Sequence, residues 1–141
     1  MKVAISVFLS LIILSLFAFG QGFQADKKSE RSAIEAAETW LKLIDKGKYS
    51  ASWDKATNYF KTNGSKEAWR KLVTTRNEAL GRVLSRNLKS TKYANLPEGQ
   101  EWIIVIYTTS FKNIESVTEV VPTMLDIDGK WKGAGYTFEF E

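Results

Sequence analysis

The chain of 141 residues contains no cysteine and no histidine. Without cysteine no disulfide can staple the fold, although many small exported domains depend on one. It must hold together by packing alone. Without histidine no Ser-His-Asp triad can form, and with both absent there is no Cys-His pair. Zinc and copper sites lose their usual ligands. Carboxylates could still hold a hard metal, but no acidic run has the spacing of a calcium loop, so neither a metal nor a cofactor is expected. Charge of one sign is also scarce in balance, with 20 basic against 16 acidic residues and a formal net charge of +4. A value this small says little about partners.

What is present begins with an apolar run. Lys2 is followed by Val3 to Phe19 without a charge, and Ala18-Phe19-Gly20 sets small residues where a signal peptidase reads. We therefore expect a signal peptide over 1–20 and a protein exported to the periplasm or beyond the cell. The run is also as long as a short membrane-spanning helix. The rival expectation is an uncleaved anchor, which would be the only segment to enter a membrane. Residues 21–30 are expected to form a flexible leader, and 31–141 a single α+β domain. All five tryptophans fall after residue 20, and each large ring can bury roughly 150–250 Å².

The period of the apolar residues divides the remainder. Ser32 with Glu35 has the form of a capping box. Ile34, Ala37, Leu41 and Ile44 then share one helical face, which Ala33, Trp40 and Leu43 broaden. Gly47 is placed to stop that helix. Residues 49–62 read as one short helix or two turns, with Trp53, Ala56 and Phe60 on one side. Ser65 is a candidate N-cap for a helix carrying Trp69, Leu72, Val73 and Arg76, which Gly81 ends. Beyond Gly81 the period becomes that of a strand, with Leu84, Arg86 and Leu88 on one side. Residues 95–100, with Pro97 and Gly99, read as a turn. Residues 102–111 are apolar on both faces and read as a central strand under helices. Val117–Ile127 is a third strand, in which Pro122 suggests an edge or a bulge.

The stretch "GKWKGAGYTF" at 129–138 looks like a phosphate loop but lacks its context, because the glycines lead into a strand and not a helix. Asp128-Gly129 instead suits the centre of a tight hairpin with both residues at positive φ. Ala134, Tyr136, Phe138 and Phe140 then alternate as a fourth strand. Gly133 and Gly135 leave a trough on it, to be filled by a closely packed helix or by a ring such as Trp131 or Tyr107. The expectation is α+β, with N-terminal helices packed on a curved four-stranded antiparallel sheet.

Five stretches, "WLKLIDKGKYSASW" at 40–53, Trp69, "RNEALGRVLSR" at 76–86, "LPEG" at 96–99 and "DGKWKGAGY" at 128–136, carry a resemblance. In order they resemble the domain-of-unknown-function family 4019, a family of small exported bacterial proteins. The resemblance implies a cystatin-like or nuclear-transport-factor-like cone, in which helices wrap a bent sheet. It implies no activity, and such cones host enzymes and binding domains alike.

Two charge blocks bear on function. Arg70, Lys71, Arg76, Arg82, Arg86, Lys89 and Lys92 lie in a stretch whose one acid is Glu78. Residues 113–128 carry Glu115, Glu119, Asp126 and Asp128 with no base. They would either lie side by side and compensate or leave an anion-binding patch. The first functional reading is a non-enzymatic ligand- or protein-binding module. Its lining would be Trp40, Tyr49, Trp53, Trp102, Tyr107 and Tyr136, with Arg76, Arg82 and Arg86 able to grip a carboxylate or phosphate. Against this, the rings serve as core, and the arginines pair with Glu119 or Asp45. The second reading is a cone-fold enzyme with Asp45, Asp54 or Glu119 as a buried base and Tyr107 or Tyr136 as its partner. The third is polyanion or membrane-surface binding through Arg70–Lys92. Export leaves little nucleic acid to meet, so the partner expected is a small molecule or a protein, and no catalytic residue is assigned.

Overall fold

The computed structural model describes residues 5–6, 26–95 and 99–140. The signal peptide expected over 1–20, apart from Ile5–Ser6, residues 21–25 of the expected leader and residues 96–98 of the turn expected at 95–100 lie outside the described residues. Four helices come first: α1 Lys27–Asp45, α2 Tyr49–Lys55, α3 Asn58–Thr62 and α4 Lys66–Leu80. Strands β2 Val83–Asn95, β3 Glu101–Phe111, β4 Val117–Leu125, β5 Trp131–Gly133 and β6 Thr137–Phe140 follow, and Ile5–Ser6 forms a two-residue β1 against β6. All pairings are antiparallel, in the order β1-β6-β4-β3-β2, with β5 also on β4. The fold is thus α+β, helices followed by an open antiparallel sheet.

The helix starts follow their caps. Asp26, and not Ser32, caps α1, its Oδ1 accepting from Ser29 N at 2.8 Å. The helix therefore takes in Lys27–Glu30, part of the stretch expected as leader. A carboxylate at this position satisfies free N–H groups and faces the positive end of the helix dipole. Thr57 and Ser65 cap α3 and α4 in the same way. Gly81 closes α4 at φ 75, ψ −166, a conformation that glycine alone adopts readily.

The faces of β3 are used differently. Ile103, Val105, Tyr107 and Phe111 meet Ala37, Leu41, Ile44 and the rings of α1–α4 in the main core. Trp102, on the reverse face, packs with Met124, Ala134 and Tyr59. β3 is central, as its apolar faces suggested. Two bulges interrupt β2, at Leu84 and at Lys89. Each extra residue shifts the alternation by one, and the first turns Arg86 to the face that carries Val83.

The fourth strand is broken in two. β5 ends at Gly133, and Ala134–Tyr136 leave the ladder before β6 begins. The break coincides with Pro122, which is in a central strand and not at an edge or bulge. β6 pairs with Val117–Val120 and β5 with Thr123–Leu125, so Pro122 falls where β4 changes partner. A residue without an N–H is tolerated there, and its carbonyl accepts from Ala134 N at 2.8 Å. The hairpin between β4 and β5 also differs from expectation. Gly129 has φ 78 and no non-glycine residue described has positive φ, while Gly129 N donates to Asp126 O and Asp126 N to Lys130 O. This is the three-residue loop with a glycine bulge, not the two-residue mirror turn. The trough over Gly133 is filled by Trp40 of α1: a Cβ on Gly133 would stand 2.4 Å from the ring.

Candidate functional site

Five residues far apart in the chain converge at one end of the core. Asp45 ends α1, Arg76 lies in the last turns of α4, Arg86 follows the first bulge of β2, Glu119 is on β4, and Tyr136 lies in the break between β5 and β6. Arg76 and Glu119 are 1% and 0% exposed. Burying unpaired charges would cost several kcal/mol each, so their partners decide whether the fold is stable.

Glu119 is saturated. Its Oε1 accepts from Arg86 Nε at 2.7 Å and from Thr109 Oγ1 at 2.5 Å. Its Oε2 accepts from Arg76 Nη2 at 3.1 Å, Arg86 Nη2 at 3.3 Å and the hydroxyl of Tyr136. Asp45 closes the ring: Oδ1 accepts from Arg76 Nη2 at 2.9 Å and Arg86 Nη2 at 3.1 Å, and Oδ2 from Arg86 Nη1 at 2.8 Å. The other two nitrogens of Arg76 also donate, Nε to Tyr136 Oη at 3.2 Å and Nη1 to Asn77 Oδ1 at 2.6 Å. Asn77 Nδ2 donates to Ile44 O at 2.8 Å, which ties α4 to the end of α1. The Arg76 guanidinium lies 4.8 Å from the ring centre of Phe111 and 5.6 Å from that of Tyr136, within cation–π range.

Two guanidiniums therefore face two carboxylates, and the charges cancel. Burial alone would raise the Glu119 pKa. Arg86, through charge and hydrogen bond, with Arg76 and Thr109, holds it below its ordinary value. The Tyr136 hydroxyl is pushed well up, first by burial and then by Glu119. Burial works against the Arg86 charge, but Asp45 and Glu119 outweigh it and raise its pKa. Chemically, Glu119 is a fixed anion whose lone pairs are occupied. A general base needs the reverse, a raised pKa and a free lone pair toward substrate.

The other residues singled out in the sequence do not join this cluster. Trp40 is core: its Nε1 donates to Ser52 O at 2.7 Å, and it stacks on Trp69 at 5.2 Å with 5° between planes. Trp53 is half-buried against Phe60 at 5.4 Å. Tyr49 is partly buried, with the Arg70 guanidinium 5.9 Å from its ring centre. Trp102 is on the opposite side of the sheet from these rings. Tyr107 shares the face of Glu119 and is 2% exposed, but its hydroxyl and Trp102 Nε1 are buried without a hydrogen-bond partner. Asp54 is exposed and pairs with Lys66 at 3.7 Å. Of the basic block, Arg76 and Arg86 turn inward, and Arg70 pairs with Glu67. Of the acidic block, Glu119 meets those arginines while Asp126 and Asp128 bind Lys132.

Thr109, Asn77 and Ser52 also contribute, and none is among the candidates the sequence offers. Thr109 stands two residues from Tyr107 on one strand face and was readable from the period of two. Asn77 adjoins Arg76. Ser52 had no signal, yet its Oγ accepts from Trp69 Nε1 at 2.8 Å and its carbonyl holds Trp40. Among the described residues no group of three or more acidic side chains gathers as a metal site, and no helix is long and apolar enough to cross a membrane.

The family described as "Protein of unknown function (DUF4019)" matches residues 36–136, a span that holds Asp45, Arg76, Arg86, Glu119 and Tyr136. The chain belongs to that family. No curated protein and no solved structure matches it.

Proposed function

We propose that the protein is an exported, non-enzymatic binding module whose interior is a structural lock and whose contacts are made with another protein. The observation that carries this reading is the saturation of Glu119 and Asp45 by Arg76, Arg86, Thr109 and Tyr136. The arginines that would grip a ligand carboxylate already hold the protein's own. Export rests on the apolar start of the chain and the small residues that close it.

The carboxylate and tyrosine of a cone-fold enzyme are both present, in Glu119 and Tyr136. They touch each other directly, and the lowered pKa of Glu119 opposes use as a base. Native mass spectrometry of the protein isolated gently from its own cell envelope tests the proposal. The expected result is a complex with a second polypeptide. A bound small molecule that is lost in Arg86→Met, or a chain that always appears alone, would count against it.

A further inference from the structure

We propose that the edge of β6 is a docking strand for an extended segment of a partner protein, and that the chain's own Ile5–Ser6 occupies it until residues 1–20 are removed. This deepens the binding-module reading and rests on it, including its export. Among the described residues β6 lies between β4 and β1, and β1 ends the sheet. β1 belongs to the stretch expected to be cleaved. Its loss would leave Thr137–Phe140 with open backbone N–H and C=O groups, to which a second chain can add by main-chain hydrogen bonds. The antiparallel pairing of Ile5 with Phe138 and of Ser6 with Thr137 shows that a strand fits there. The fit is partial, since β6 has four residues and β1 pairs with two of them. A strand that runs two residues further would use the whole edge.

The other edge is defended and this one is not. β2 carries two bulges and the lysines Lys89 and Lys92, devices that keep foreign strands away. β6 pairs with β4 in unbroken register, and residues 133–140 contain no lysine, arginine or proline. Cross-strand neighbours then define the occupant. Phe138 lies in the main core and Phe140 packs against it, with ring centres 5.6 Å apart. Residues of an added strand opposite these two share that face, where β-branched side chains pair well with aromatic ones. Thr137 and Glu139 alternate to the other face, and Glu139 is exposed. A basic residue suits the position opposite Glu139, and a small hydroxyl the position opposite Thr137. The occupant is therefore a strand of the form apolar–basic–apolar–serine or threonine, read against Phe140, Glu139, Phe138 and Thr137. The chain's own Val3-Ala4-Ile5-Ser6 keeps that alternation and lacks only the basic residue.

The probe is the peptide Val-Lys-Ile-Ser-Val, blocked at both ends and fluorescently labelled. It is titrated against the chain as processed by its own cell and taken from the envelope. The comparison is Ala18→Phe/Gly20→Phe, which lacks the small residues a peptidase reads and so keeps residues 1–20. Both are held in the same mild detergent. Saturable binding to the processed chain is expected, weaker by roughly tenfold or more in the uncleaved variant, where the tethered strand competes at high effective concentration. On binding, amide hydrogen exchange should slow at Thr137–Phe140 and stay unchanged at Val83–Asn95. Glu139→Lys should reverse the preference for this peptide over Val-Glu-Ile-Ser-Val, and a thermal midpoint near that of the parent establishes that the variant folds. Val-Lys-Pro-Ser-Val should not bind. No saturable binding, equal binding to both forms, a preference indifferent to Glu139→Lys, or protection at β2 would overturn the docking edge. So would an envelope chain that still carries residues 1–20, or a dimer of the processed chain that itself protects Thr137–Phe140. A complex in the native mass spectrum without protection at Thr137–Phe140 would leave the binding-module reading standing and remove only this edge.

Discussion

Replacing Glu119 by glutamine keeps the shape of the side chain and removes its charge. The two guanidiniums then face Asp45 alone. The hydroxyls of Thr109 and Tyr136 can rotate to accept from the new amide, but arginine has no lone pair to offer. At least one amide N–H must therefore point at an arginine N–H. Glu119 and Arg76 are almost wholly shielded, so water cannot relieve the conflict. Breaking a buried pair from one side costs about 3–5 kcal/mol. For a folded region of this size that lowers the thermal midpoint by roughly 10–20 °C. Urea unfolding followed by tryptophan fluorescence at pH 7 measures the loss, and Arg86→Met/Glu119→Leu is the control. The double variant removes one charge of each sign and leaves Arg76 with Asp45. It should be more stable, by about 2 kcal/mol, than the summed losses of Arg86→Met and Glu119→Leu made singly. The same cluster fixes an acid dependence. Because the folded state holds the Glu119 pKa below its ordinary 4.5, its stabilisation is complete above that pH. It is lost as the pH falls through the lower folded value. The gap between parent and Glu119→Gln should therefore narrow below about pH 4.5. A loss under about 1 kcal/mol for Glu119→Gln, or strictly additive variants, would refute the idea that charge pairing holds this end of the core.

Four other substitutions probe the surroundings. Gly133→Ala pushes a methyl into the Trp40 ring and should cost about 1–3 kcal/mol, with a changed near-ultraviolet dichroism; an unchanged spectrum would mean the helix does not approach so closely. Gly81→Ala should lose about 1–3 kcal/mol from backbone strain alone, measured by urea unfolding. Ser52→Ala leaves the Trp69 indole N–H buried without its acceptor, worth about 1–3 kcal/mol, and calorimetry detects it. In Tyr136→Phe the donor to Glu119 disappears. The parent should lose stability as the pH rises above the ordinary tyrosine value of 10.0, because the folded hydroxyl is held protonated. The phenylalanine variant should show less of that alkaline loss in thermal scans between pH 9 and 11.

Much of this architecture was readable from one-dimensional periods. The spacing of Ile34, Ala37, Leu41 and Ile44 located α1, Ser65 and Gly81 bounded α4, and the doubly apolar run at 102–111 marked the central strand. One misreading was local, and the others were governed by contacts distant in sequence. Asp26 caps α1 because it precedes the helical turn that the fold retains, whereas Ser32 merely matched a motif. The final strand breaks because β4 changes partner at Pro122, and no alternation of side chains within 131–140 records that. For the site, the sequence offered Arg76, Arg86, Glu119, Asp45 and Tyr136 as separate candidates, each with an ion pair as the plain alternative. Their union in one ring depended on the bulge at Leu84, which a strict period of two does not show. The aromatic candidates fared differently. Trp40 became core, and Trp102 went to the opposite side of the sheet.

The arginine–carboxylate ring has a consequence for how the polypeptide matures. Its members run from Asp45 to Tyr136 and meet across most of the described chain. A chain still being made lacks Tyr136 until that residue has emerged. It would have to shelter two cations and two anions without their full set of partners. Contacts of such long sequence separation form slowly, so the domain should stay loose until Tyr136 is available and then close in one step.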